Sequence, residues 1–376
     1  MNKIKGGILA ARGFRAGTAA AGVKAEGLDV ALVWSEVPAT AAALFTQNSV
    51  VAAPVTLSRK HVAAHEIRAI VVNSGNANCM TGREGETHAE QMAQDTAQAL
   101  NIAPEAVLVA STGIIGRPLP IEKVSAGIQA AAAGGAGDDD VARAIMTTDT
   151  KTKQTAYTCD IGDKTVTIGG CAKGSGMIQP NMATMLAFLT TDAAIAPELL
   201  DKALREANRT TFNAITIDGC MSTNDTVAVL ANGQAGNSEI TEENEGYRVL
   251  VETLRQVCLD LALMIVRDGE GATMLVTVSV EGAADYGQAK QIAYAVANSP
   301  LVKTAAHGKT ANWGRIAQAV GALGFNITEN SLDIEVDSPA EDELVMTVKV
   351  QLGDADATVY TCDLSKEYVD INVEYN

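Results

Sequence analysis

Apolar and polar positions along this chain change period repeatedly, and each change marks an element. Residues 28–35 (LDVALVWS) and 42–45 are short, largely apolar runs that predict strands, with Pro38 breaking the stretch between them. Residues 54–64 predict a helix. Residues 68–72 predict a strand that empties into NSGNANCMTG (73–82), where Asn, Ser and Gly favour turn conformations. Residues 84–100 carry Ala89, Met92, Ala93 and Leu100 on one helical face. A strand at 107–110 leads into the loop STGIIGRPLP (111–120), followed by an Ala-rich helix over 120–133. The acidic run 138–140 then caps a short helix at its positive end.

Residues 155–160 and 164–168 predict a hairpin turning at Gly162-Asp163. The run MLAFL (185–189) predicts a buried strand, and 197–207 a helix with Pro in its first turn. Strands at 214–217 and 226–231 flank DGCMSTND. The clearest helix runs from about 241 to 267, with Tyr247, Leu250, Leu254, Val257, Leu261 and Ile265 facing inward. It stops at RDGEGAT (267–273), whose glycines end it. A strand at 274–280 and helices at 286–297 and 313–323 come next, then three or four alternating strands in 331–376. This mixed order predicts an α/β class with layered sheets.

With 376 residues the chain can hold two or more cores. No run approaches the roughly 20 apolar residues a membrane span needs. MNKIKGGILAARGFRAG lacks the apolar stretch and cleavage site of a signal peptide. The net charge of −17 argues against a nucleic-acid or anionic-membrane partner. Cys79, Cys159, Cys171, Cys220, Cys258 and Cys362 form no C-x-x-C pair, which predicts buried thiols in a reducing, cytoplasmic compartment. The acidic clusters at 138–140 and 242–245 read as a helix cap and a solvated face, so no metal is expected. GGCAKGSG lacks the phosphate-loop order, because Gly174 follows Lys173.

Thr184 stands between the Gly-rich KGSGMIQPNMA and the apolar run. A hydroxyl there either opens a strand as a β-branched residue or serves as a nucleophile. The histidines, His61, His65, His88 and His307, are far from it in sequence, and nothing marks one as its base. Lys173 is a natural partner for a carboxylate; Glu270, between Gly269 and Gly271, suits a cationic amine. Each alone is more often a solvated surface charge. In STGIIG the Thr112 hydroxyl and the Gly113 N–H are candidate oxyanion donors, against the plainer reading of a strand-to-loop turn.

KGSGMIQPNMATML resembles the signature of the ornithine acetyltransferase family, also called glutamate N-acetyltransferase or ArgJ. NSGNANCMTG, STGIIG, MTTDT, ITIDGCMSTNDT, VRDGEGAT, SPLVKTA and NWGRI also occur in family order, over essentially the whole chain. The resemblance implies a precursor that cuts itself between Ala183 and Thr184, after which Thr184 carries the acetyl group. It implies a layered α/β/β/α sandwich with a smaller C-terminal α+β domain, divided as residues 1–183, 184–280 and 281–376. It assigns Thr112 and Gly113 to the oxyanion hole, and Thr147, Lys173, Thr184, Glu270 and Asn372 to substrate contact. The implied reaction passes acetyl from N-acetylornithine to glutamate, in arginine biosynthesis, with no cofactor; some members also take acetyl-CoA as donor. The cut chains would associate as an α2β2 heterotetramer. A freed Thr184 would carry its own base, because a chain-terminal α-amine ordinarily titrates at roughly 7.7–8.0.

The alternative is a self-cleaving N-terminal-nucleophile amidohydrolase or aminopeptidase, which discharges its acyl group to water. Three departures from the family pattern stand out. Met274 follows GEGAT in place of Lys. AAHGKTANWGR lacks the aromatic and acidic residues that precede N-W-G-R. The tail stops at Asn376, one residue before a Ser or Thr that contacts substrate.

Overall fold

The computed structural model describes residues 1–63, 66–179, 185–310 and 312–374. These fall into two compact units. One holds residues 1–174, 185–213 and 221–261; the other holds 175–179, 214–220 and 262–374.

The first unit begins with β1 (Asn2–Ile4), β2 (Phe14–Ala19), β3 (Val30–Ser35), β4 (Thr40–Phe45), α1 (Ala53–Val62) and β5 (Ala69–Asn76). It continues with α2 (Gly82–Leu100), β6 (Val107–Ile114), α3 (Ile121–Ala131), α4 (Asp138–Ala144), β7 (Lys153–Ile161) and β8 (Lys164–Lys173). After these come β9 (Leu186–Thr191), α5 (Pro197–Arg209), β10 (Thr226–Ala231) and α6 (Glu245–Arg267), the last belonging here up to Leu261. Among the described residues one sheet runs β2-β3-β5-β6 and the other β1-β7-β8-β9-β10-β4.

Alternation explains the layering. Ala31, Val33, Ile70, Val72, Leu108 and Ala110 point from the first sheet into a core that Leu186, Phe188, Ala228 and Leu230 enter from the second. Their neighbours Val30, Leu32, Val71, Val107 and Val109 face the other way, onto Met92, Ala93 and Ala97 of α2 and Val124 and Ile128 of α3. Against the far face of the second sheet, Asp260 of α6 accepts from Lys3 Nζ (2.7 Å) and Tyr157 OH (2.9 Å). The layers are therefore α/β/β/α. β9 is buried at every position and lies parallel to β10. β8 is antiparallel to β9, with Lys173 opposite Leu186, and β10 is antiparallel to β4.

The second unit contains β11 (Leu275–Ala283), α7 (Tyr286–Ala297), α8 (Pro300–His307), α9 (Trp313–Gly321), β12 (Leu332–Ala340), β13 (Glu343–Val350), β14 (Ala355–Cys362) and α10 (Lys366–Glu374). Its sheet runs β12-β13-β11-β14. Ile292, Val296, Ile316 and Val320 of α7 and α9 pack on Val276, Val278, Val348 and Val359. This is the smaller α+β part.

Several expectations need correction. Residues 214–217 are not a strand: a 3-10 turn at Phe212–Ala214 is followed by a lone bridge from Ile215 to Tyr360. So short an apolar run is as well buried in a turn as in a ladder. β5 and β6 run on through Asn76 and Ile114, into segments that read as loops. The long helix starts at Glu245, later than its periodicity predicts, and α8 and α10 occupy stretches read as unassigned and as strand. Cys220 is exposed, unlike the other five thiols.

Candidate active site

In the first unit, β8 delivers Lys173 at its last position, almost fully buried. Its ammonium donates to Thr147 Oγ1 at 2.9 Å and to Thr112 Oγ1 at 3.2 Å. Thr112 lies on β6 and Thr147 in the turn after α4, so three elements meet at one charge. Gly113 follows Thr112 with φ +131°, and a Cβ there would lie 2.3 Å from the Gly75 carbonyl carbon. Only glycine fits where β5 and β6 come so close.

Asp149 counters this positive charge. Its carboxylate accepts from Lys153 Nζ (2.6 Å), Gly174 N (2.6 Å) and Thr147 N (3.1 Å). Burial alone would raise its carboxyl, but the Lys173 and Lys153 ammonium groups and the Gly174 N–H outweigh that and hold it at about 2. Asn224 ties the framework together, donating to Ala77 O at 2.6 Å and Ser111 O at 2.9 Å, while Ser111 Oγ donates to Asn73 Oδ1 at 2.6 Å. NSGNAN, STG and STND are thus one hydrogen-bonded knot. Asp149, Lys153 and Asn224 are not singled out by the sequence, although Asp149 lies inside MTTDT and Asn224 inside ITIDGCMSTNDT.

In the second unit, Glu270 N donates to Ser175 O at 2.8 Å, and Glu270 Oε2 accepts from Asn372 Nδ2 at 2.7 Å. A Cβ on Gly176 would lie 2.5 Å from the Glu270 carboxyl atoms, so that glycine leaves room for the carboxylate. Asp218 fixes the neighbouring backbone by accepting from Met177 N (2.5 Å) and Ile178 N (2.9 Å). Thr112, Thr147 and Lys173 therefore form one bonded group, and Glu270 and Asn372 another. Ala183, Thr184 and His65 lie outside the described residues. Of the remaining histidines, His61 Nδ1 meets Val107 O at 2.7 Å, His88 stands 3.9 Å from Glu84, and His307 meets Asp363.

With this geometry in view, comparison with known proteins decides the family. Residues 15–376 match the model of the ArgJ family. The chain belongs to the ArgJ family. It is 48% identical over 400 residues to the arginine biosynthesis bifunctional protein ArgJ of Symbiobacterium thermophilum, covering 100% of both chains. To the ArgJ of Bacillus subtilis it is 42% identical over 396 residues, covering 99% of this chain and 97% of that one. Among solved structures, an ornithine acetyltransferase complexed with ornithine from Mycobacterium tuberculosis is 40% identical, covering 48% of this chain and 98% of that one, with a TM-score of 0.46. Within this ArgJ chain, two of the departures noted above meet at one carboxylate. Asp363 accepts from Thr273 N (2.8 Å), Thr273 Oγ1 (2.7 Å) and Met274 N (2.9 Å), and faces His307 Nδ1 at 2.7 Å.

Proposed function

We propose that this acyltransferase of arginine biosynthesis moves acetyl from N-acetylornithine to glutamate on Thr184, after cutting its own chain between Ala183 and Thr184. In the cut, Thr184 Oγ attacks the Ala183 carbonyl and the C–N bond breaks, leaving an ester and a free α-amine. Water then opens the ester, giving an Ala183 carboxylate and a Thr184 hydroxyl. In transfer, the α-amine takes the hydroxyl proton as Oγ attacks the acetyl carbonyl and then hands it to the leaving nitrogen, so that the C–N bond breaks and ornithine departs with that amine neutral. The glutamate amine attacks the acetyl ester in turn, releasing N-acetylglutamate and restoring Thr184.

The observation that carries this reading is the Thr112–Lys173–Thr147 group at the end of β8, across from the first residue of β9. Lys173 donates to Thr112 Oγ1, so that hydroxyl keeps its own proton for an oxyanion beside the Gly113 N–H. A preorganised donor of this kind contributes about 3 kcal/mol to such a transition state. Lys173 with Thr147 suits a substrate carboxylate; Glu270 with Asn372 suits an ammonium. Acetyl-CoA as a second donor, an α2β2 assembly and a cytoplasmic location belong to the same proposal. No described helix is long and apolar enough to cross a membrane.

Denaturing gels with N-terminal sequencing test the cut. Wild type should give two chains, the second beginning at Thr184, and Thr184→Ala one inactive chain. An active wild type that runs intact would sink both the cleavage and the α-amine base. Double-reciprocal plots for N-acetylornithine and glutamate should be parallel, as a covalent intermediate requires. Ornithine release that glutamate does not accelerate would favour the hydrolase instead.

A further inference from the structure

We propose that Lys24 recognises the side-chain carboxylate of a dicarboxylic acyl acceptor at the Thr112–Thr147–Lys173 group, an inference that rests on the transfer reaction above. Its placement is fixed by the fold. Asp29, fully buried, accepts from the main-chain N–H groups of Ala21 (2.6 Å), Val23 (2.6 Å) and Lys24 (3.1 Å), which draws the loop around one carboxylate. The Lys24 stem then crosses Gly75, where a Cβ would lie 2.8 Å from Lys24 Cγ, and Gly75 is the residue paired with Gly113. Its ammonium ends by donating to Met146 O at 3.0 Å, the carbonyl directly before Thr147. Lys24 therefore reaches from the Gly75–Gly113 contact to the Thr147 turn.

What this ammonium meets is chemically incomplete. An ammonium has three donors, and among the described residues its one hydrogen-bond acceptor is that neutral carbonyl. Burial, the largest influence, lowers its pKa; Asp29 and Asp149 oppose the lowering, and the Lys173 ammonium adds to it. A half-buried cation so placed is stabilised by an incoming anion. Lys173 already suits the α-carboxylate that ornithine and glutamate share. A second ammonium is useful only to the substrate with a second carboxylate, and it would repel the side chain of departing ornithine.

Calorimetric binding of glutamate and of glutamine, which lacks only the second charge, tests this on wild type, Lys24→Met and Lys24→Arg. Acetyl transfer is measured in parallel. Wild type should prefer glutamate. Lys24→Met should weaken glutamate about 10- to 100-fold, the loss of a charge-assisted hydrogen bond. Glutamine binding should stay within about threefold, as for a substitution that removes no contact. Lys24→Arg should restore most of the preference. Equal weakening of both ligands would make Lys24 a support for the Thr147 turn and overturn the proposal, as would an intact preference in Lys24→Met or none in wild type. Failure of acetyl transfer in wild type would overturn the reaction separately, because binding is read without it.

Discussion

Lys173 and Glu270 carry opposite charges in the two units, and they are held in different ways. Lys173 ends a strand buried along most of its length, meets two threonine hydroxyls, and shares Asp149 with the fully buried Lys153. Glu270 sits in a loop between two glycines and meets Asn372, an exposed residue of the last helix. The first charge is locked by a network that cannot lose a member without leaving another buried and unmatched. Among the described residues, the second is held by one side-chain bond, from the exposed Asn372, and exposed contacts of this kind are weak.

The comparison breaks most readily at Asp149. Asp149→Ala leaves Lys153 and Lys173 without their carboxylate and should destabilise the chain by about 3–5 kcal/mol in denaturant unfolding. Equal loss from Glu270→Ala would erase the contrast. Acid gives the next largest effect. Because the folded carboxyl is held at about 2, below the ordinary 3.8, its contribution is present above pH 4 and lost as pH falls toward 2. The loss should amount to about 2 kcal/mol over that window, and Asp149→Asn should flatten the curve there. Asn372→Ala should be mildest, with folding intact and turnover reduced about two- to tenfold, the scale of one exposed hydrogen bond. A collapse of activity in Asn372→Ala would show that the second unit is as tightly specified as the first.

Legibility follows periodicity. β10 and α7 are readable end to end, because each keeps one period between clear breaks. Read from the sequence, β5 and β6 stop where Asn73 and Ser111 begin, since Asn, Ser and Gly mark turns unless a neighbour satisfies them. Here the neighbour is the parallel strand, through the Ser111–Asn73 bond and the Gly75–Gly113 pairing. That partnership is non-local and leaves no local trace. α10 misleads in the opposite sense: Val369, Ile371 and Val373 alternate like a strand, yet Val369 and Val373 point to solvent from a helix. α8 does carry its signal, Ser299 before Pro300, and the structure uses it as an N-cap. In the candidate site the hydroxyls, the glycine and Lys173 are legible as types in motifs. The buried Lys153–Asp149 pair is not, because a polar stretch gives no sign that it will be enclosed.

The strand order of the larger sheet has a consequence for how the halves could ever part. β9 and β10 lie between β8 and β4. A chain severed between Ala183 and Thr184 would own β8 and β4 on one product and β9 and β10 on the other. The second product is then clasped along both edges by the first, like a tenon in a mortise. Pulling it out means tearing two ladders and the core beneath them, which amounts to unfolding. The nick would be covalent only, and folded halves made apart would have no route into one another; under the proposed cleavage the sheet would have to be assembled before the cut.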